Sequence, residues 1–439
     1  MKHLNVNFDR KLGAIKPVNG VNNGPLTCNF AQDARPYFKE AAIPFSRLHD
    51  TEYPFGSGEF VDVHCIFKNF SCDENDPANY NFTLTDEYLK AILECGTKVI
   101  YRLGTTIEHQ PIKVHAVPPK DYLKWARICE HIIRHVNEGW GNGYHMGIEY
   151  WEIWNEPELP GKQCWTGTTQ EFCQFYIQVA GYLKEKFPHL KIGGPAVSSL
   201  LTDFPREFVQ TVAEAKAPLD FFSWHTYTED PKVGAAEAGR ADALLKEFGL
   251  EHTENIYDEW NYVKDWNQVE ESYAVIHSAK GAAYTAAMMC ALQHSPCDIS
   301  TYYDGQVRES SHCFAGLFAA GTVAVHGEPA VARVRKPYYA FKAFNELRKL
   351  GYEAESRIED GNVYACAAEK DGKAAVLLVN YHDTECVSEK IRLDFGDMKG
   401  KMGVYRLDKR YDLEKAGETE SGKVISVAAN TAVLLLSEE

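Results

Sequence analysis

The chain has 439 residues, 45% of them hydrophobic and 25% charged, which suits one large domain with a smaller companion and excludes a disordered chain. The 46 lysines and arginines face 62 aspartates and glutamates, a net charge of −16 that argues against nucleic acid or an anionic membrane as partner and leaves neutral ligands such as sugars open. The twelve cysteines form no CxxC pair and no metal-like cluster, and "MKHLNVNFDRKLG" at the N-terminus offers no apolar run for a signal peptide, so the expectation is a cytoplasmic protein with reduced thiols.

Taken in chain order, "HLNVNF" alternates at Leu4, Val6 and Phe8, a strand pattern outside the repeat that follows. Eight short apolar runs then alternate with helical segments: "IKPVNG" (15–20), "AIPFSRLHD" (42–50), "KVIYRLG" (98–104), "IEYWEIWNEPE" (148–158), "LKIGGPAV" (190–197), "LDFFSWHTY" (219–227), "NIYDEWN" (255–261) and "DISTYYDG" (298–305). Between them, Tyr122, Trp125, Ala126, Cys129, Ile132, Ile133 and Val136 mark one face of a helix. Thr168 and Glu171 stand in capping-box spacing ahead of another helix, and 85–95 is expected to start at Thr85 and stop at Gly96. Further helices are expected near 34–42, 204–216, 235–249, 272–294 and 336–349. Eight strand–helix units predict an α/β fold, a (β/α)8 TIM barrel over 13–350, ahead of an open doubly wound sheet.

After about residue 350 the helical period disappears. "NVYACAAEKDGKAAVLLVNYHD" reads as a hairpin around Asp371-Gly372, and strands are expected near 387–395, 402–407 and 431–437. The expectation is an accessory antiparallel β-sandwich over 351–439, joined by the N-terminal strand 1–12.

Barrel function sits at the C-terminal strand tips. Those tips carry Arg47, His49 and Asp50, then Asn155 and Glu156, then His225 and Tyr227, then Glu259 and Asn261, then Tyr302, Tyr303 and Asp304. Aromatic rings, amides and acids together suit a carbohydrate cleft. Glu156 and Glu259 end the fourth and seventh units, which face each other across a barrel mouth. Glycoside hydrolysis needs such a pair, one carboxyl to protonate the leaving oxygen and one to attack the anomeric carbon or activate water.

"WEIWNEPE" resembles the Asn-Glu-Pro acid/base motif of clan A glycoside hydrolases, and "YDEWN" the nucleophile segment of the same clan. With "VNGVNNGP", "RLHD", "YNFTLTDEYLKAILECGTKVIYRLG", "SWHTY" and "KPYYAFKAFNELRKLG", the chain most resembles glycoside hydrolase family 39 from about residue 13 to 350. That resemblance implies a retaining exo-glycosidase, β-xylosidase first, with Glu156 as acid/base, Glu259 as nucleophile and Asn155 on the sugar 2-hydroxyl. It also implies His49 and His225 as sugar contacts, Tyr227 as a neighbour of the nucleophile and Arg47 as the charge that keeps Glu259 ionised; apart from the resemblance, Tyr303 at the tip of the eighth strand is expected to form a substrate-binding sugar platform, and no metal or organic cofactor is expected. Two positions depart from the family's pattern: Asp50 stands where glycine is usual, and Trp260 follows the nucleophile in place of a phenylalanine-like residue, so both are expected to change the subsite walls. Trp154 and Ile153 are expected to desolvate Glu156.

Other readings carry less. An α-L-arabinofuranosidase, a galactosidase-type or endo-acting member of the clan would share both glutamates, and a glycan-binding protein without turnover would keep the cleft. A nucleotide-binding sheet lacks a phosphate loop, and "GWGNG" (139–143) opens no helix. Glu158 reads as a loop acid and Asp258 as structural. His131 and His135, four apart on a helix, read as a solvated charged face rather than a zinc site. Loops 51–82 and 305–335 are expected to shape the cleft, the second being also the place where a homo-oligomer could form.

Overall fold

The computed structural model describes residues 1–26, 32–51, 60–308, 312–321, 330–359 and 361–438. Eight parallel strands close into a barrel: Gly20–Asn22, Phe45–Leu48, Lys98–Leu103, Tyr150–Ile153, Lys191–Val197, Phe221–His225, Glu254–Trp260 and Ile299–Tyr302. The first lies later than the 15–20 expected, because Pro17 has no N–H for a ladder and the amide of Lys16 is taken by the Gln293 side chain. In the expected loops, 52–59, 309–311 and 322–329 lie outside the described residues. No described helix is long and apolar enough to cross a membrane.

Local signals account for most of the helices. Thr168 and Glu171 form the reciprocal capping box at the start of Thr169–Lys186. Asp121 caps Tyr122–Glu138, which ends at Gly139 with φ +78°. The helix expected from Thr85 instead begins at Thr83, because the Thr85 hydroxyl is spent on the carbonyl of Phe60. The helix expected over 272–294 is two, Val269–Ile276 and Ala279–Gln293, since Ser278 caps a fresh N-terminus. His131 and His135 are buried rather than solvated: His131 packs on Trp140, and His135 stacks on Phe82 at 3.5 Å and meets Asp86.

The second layer is one nine-stranded, mostly antiparallel sheet. Its order is Asp412–Thr419, Met402–Leu407, Thr431–Ser437, Lys373–Asn380, Val363–Lys370, Tyr352–Ile358, Lys2–Ala14, Glu389–Asp394 and Val424–Val427. Asp371 and Gly372 turn its central hairpin with φ of +53° and +80°, the twist a two-residue loop needs. One face closes on itself around Leu4, Val6, Val376, Leu378, Ile391, Leu393 and Val433. The other sets Cys366, Leu377, Val379 and Leu434 into the barrel's core cluster.

A polar clamp joins the layers. Asp383, just beyond Lys373–Asn380, accepts hydrogen bonds from Tyr262 Oη (2.5 Å), Lys264 Nζ (2.6 Å) and Lys280 Nζ (2.7 Å). Burial works against its ionisation, but the two lysines and the phenol outweigh it and hold the carboxyl down to about 2. A depressed carboxyl stabilises the fold above its unfolded value and loses that contribution as pH falls through the folded one. Asp383→Asn is therefore expected to cost about 1–2 kcal/mol in urea titrations at neutral pH, and the gap to the parent protein should close between about pH 4 and pH 2.

Candidate active site

The barrel interior is built in layers by strand alternation. Its floor is apolar, made of Phe45, Ile100, Tyr150, Phe221, Ile256 and Ile299. Two residues further along the same six strands come Arg47, Arg102, Glu152, Ser223, Asp258 and Thr301, all fully buried. Two more bring His49, His225 and Tyr303 to the mouth.

Two irregularities add the glutamates. The seventh strand carries one extra residue: Tyr257 pairs with Trp224 but Glu259 with His225, and on the other side Ser300 pairs with Tyr257 but Tyr302 with Trp260. This bulge lets Asp258 and Glu259, neighbours in sequence, both face inward. In the fourth strand Trp154 has φ +76° and its indole turns outward among Trp125, Trp165 and Phe175, donating to the carbonyl of Cys164. Glu156, at φ +45°, then bends over the mouth with its amide bonded to Ala196.

Arg47 is the hub. Its Nε stands 2.7 Å from Glu152 Oε2 and 2.9 Å from Asp258 Oδ2, one terminal nitrogen reaches Glu259 Oε1 at 2.7 Å, and the other Asn155 Oδ1 at 2.7 Å. Glu259 Oε2 accepts from the Tyr227 hydroxyl at 2.7 Å. His225 Nδ1 lies 2.8 Å from Glu156 Oε1 and 3.6 Å from Glu259 Oε2, while its Nε2 is 3.4 Å from Asp258. One oxygen of Glu156 and one of Glu259 lie within 4.8 Å of each other. Asn155 Nδ2 is buried with no partner among the described residues.

The protonation pattern follows from this packing. Burial works against a charged His225, but Glu259 and Asp258 outweigh it and hold the imidazole well above its ordinary value. His49 is pushed the other way by burial and by Arg47, so its ring is neutral. Burial raises Glu152 to about 8 against the pull of Arg47, and its neighbour Asp258 adds to the rise. Burial also raises Glu259, with Glu156 adding, while His225, Arg47 and the Tyr227 hydroxyl pull it back. Arg47 thus acts in the direction expected of it, second to His225, and burial still sets the net direction. Glu156, His225 and Glu259 are close enough to hold a cation, but an imidazole kept charged has no lone pair to offer one.

The structure brings Arg47, His49, Asn155, Glu156, His225, Tyr227, Glu259 and Tyr303 together at one mouth. It does not bring Trp260. That indole is fully buried in the helix layer, packed on Tyr302 and Tyr284 and donating to Ser300 Oγ, because the residue after an inward Glu259 points outward. Nor does Trp154 cover the Glu156 carboxyl; its ring lies behind the strand. Glu158 is no free loop acid, since its Oε1 caps the amides of Ser198 and Ser199 and burial raises it to about 7. Glu152 and Asp258 were missed as members of the charge cluster. The available signal was their register, two residues beyond the apolar floor on their strands.

Residues 26–401 match a family model described as glycosyl hydrolases family 39. A β-xylosidase of Caldicellulosiruptor saccharolyticus is 26% identical over 412 residues, 87% of this chain and 78% of that protein. A β-xylosidase of Geobacillus stearothermophilus is 26% identical over 358 residues, 75% of this chain and 67% of that protein. Among solved structures, a glucosidase from Croceicoccus marinus superposes with a TM-score of 0.78 at 20% identity, covering 100% of this chain and 99% of that one.

Removing the hub should be costly and removing its silent acid cheap. Arg47→Met leaves buried carboxylates without a counter-charge and is expected to destabilise by about 3–5 kcal/mol in chemical denaturation. Glu152→Gln mimics a carboxyl that already holds its proton, so it should cost under about 1 kcal/mol at pH 7. A raised carboxyl loses stability as pH climbs from the unfolded value of 4.5 to the folded value of about 8, and this decline should be shallower in Glu152→Gln.

Proposed function

Because the chain belongs to glycosyl hydrolases family 39, we propose that this glycoside hydrolase is an exo-acting β-xylosidase that retains anomeric configuration. The observation that carries the mechanism is the oxygen pair of Glu156 and Glu259 within 4.8 Å. Retaining enzymes hold their carboxyls roughly 5–5.5 Å apart, whereas inverting ones leave room for water at roughly 6.5–9.5 Å. Two β-xylosidases among the relatives support the sugar.

In the first step Glu259 attacks the anomeric carbon as the glycosidic C–O bond breaks, and Glu156 gives its proton to the departing oxygen. His225, bonded to Glu156, keeps a proton at the place where that oxygen leaves. Arg47 and Tyr227 hold the two oxygens of Glu259 in line for attack. Asn155, anchored to Arg47 through Oδ1, has its free N–H to donate to the sugar 2-hydroxyl. Glycosylation removes the charge of Glu259, and Glu156, now ionised, takes a proton from water that attacks the same carbon as its bond to Glu259 breaks, which releases the sugar and restores the Glu259 carboxylate and the Glu156 proton. The same reading places the enzyme in the cytoplasm, acting on a glycoside or oligosaccharide; the eleven described cysteines, all free, support a reducing compartment.

The test is a panel of nitrophenyl xylosides, arabinofuranosides, galactosides and glucosides. The β-xyloside should be hydrolysed fastest, and its first product, followed by proton NMR, should be the β-anomer; release of the α-anomer would remove Glu259 as nucleophile. Glu156→Ala should lose on the order of 10²- to 10⁴-fold on poor leaving groups and regain rate with azide through a β-glycosyl azide. Glu259→Gln should abolish turnover with good leaving groups too. Flat traces throughout would favour a glycan-binding protein.

A further inference from the structure

Asp50 has no part in the scheme above, yet it stands at the site. Its backbone is at φ +52°, a conformation glycine adopts freely and aspartate tolerates better than most residues. The carboxylate is therefore a feature added at a position whose backbone would suit a residue with no side chain. Its placement is well determined. The Tyr303 hydroxyl donates to Oδ2 at 2.8 Å, Gln306 Nε2 donates to the backbone carbonyl at 2.8 Å, and only 20% of the side chain is exposed.

The other oxygen, Oδ1, is buried and has no hydrogen-bond partner among the described residues. It lies 3.3 Å from His49 Nε2, whose ring is 1% exposed and likewise unpartnered. His49 Nε2 is in turn 3.8 Å from Glu259 Oε1, so both orphans border the seat of the reacting sugar. Buried polar atoms without partners are costly, and two side by side at a pocket wall point to a ligand group that satisfies both. A neutral imidazole in its Nε2–H form offers a donor, and the Asp50 carboxyl, which burial and Glu259 raise to about 7 against the pull of the Tyr303 hydroxyl, offers only acceptors once ionised above that pH. A hydroxyl answers both, accepting from His49 and donating to Asp50. An ammonium has nothing to accept with, an ether or ester oxygen has nothing to donate, and a sugar carboxylate would face Asp50 and Glu259 together.

We propose that Asp50 and His49 form a reader for one ring hydroxyl of the terminal sugar, other than the 2-hydroxyl, and that Asp50 selects neutral sugars bearing that hydroxyl free. This rests on the glycosidase reading of the site and deepens it. The resembled family pattern, with glycine at this position, has no carboxylate there to perform the selection.

The experiment compares nitrophenyl β-xyloside with its 3-deoxy and 4-deoxy analogues on the parent protein, Asp50→Asn and Asp50→Gly, with thermal melts to confirm folding. In the parent, one of the two deletions should lower kcat/KM on the order of 10- to 100-fold. In Asp50→Gly that penalty should shrink to within about threefold, because the acceptor for the hydroxyl has gone, and Asp50→Asn, which keeps a neutral amide acceptor, should fall between it and the parent. A purely structural Asp50 would lower all three substrates together and leave the ratio unmoved, and that result overturns the proposal while the glycosidase reading stands. Calorimetric binding of free xylose and its deoxy analogues to the same proteins reads the ratio without turnover. A ratio that collapses in Asp50→Gly supports the reader even if no glycoside is cleaved, and one that persists there overturns it.

Discussion

The site depends on one guanidinium. Arg47 is fully buried and meets Glu152, Asp258, Glu259 and Asn155 at once. A charge so far from water is tolerable only when its donors are all matched, and the planar fork of arginine matches several carboxylates where a lysine would match one or two. Because the four partners come from two barrel strands, the fourth and the seventh, and the loop after the fourth, the same contacts that neutralise the charge also fix the relative positions of the groups at the mouth.

That arrangement sorts protons as well as atoms. The two mouth histidines carry opposite charge states although their rings are equally buried: His225 faces three carboxylates and stays charged, whereas His49 is set against Arg47 and is neutral. Likewise Glu152 holds its proton beside Asp258, which is held below its ordinary value by Arg47 and His225 in spite of burial. Neighbouring groups of one chemical type thus differ by context alone, which is how a barrel mouth crowded with acids can seat a proton donor and an anion together.

The second layer serves the first by backing it. The sheet covers the helices Ala279–Gln293 and Lys336–Leu350, the last two of the barrel, and Asp383 ties it to Tyr262, two residues past the seventh strand. Of its two edge strands, Asp412–Thr419 is largely exposed and polar, which blunts an open edge and also removes the hydrophobic alternation by which a strand is recognised, and Val424–Val427 is only four residues long. The first escaped the sequence reading for its polarity and the second for its shortness.

Periodicity and turn chemistry are local, so the sequence by itself determined the eight-unit alternation, the Thr168–Glu171 cap, the Asp371-Gly372 turn, and that Glu156 and Glu259 would end opposing strands. It also marked Asp50 as unusual. What only the tertiary structure decided was orientation and environment. A bulge turned Glu259 inward and Trp260 out, a positive φ at Trp154 swung its own indole behind the strand, and packing made partners of Arg47, Glu152 and Asp258, more than two hundred positions apart at the extremes. Burial and charge pairing are sums over neighbours brought from the whole chain, and no window of sequence contains them.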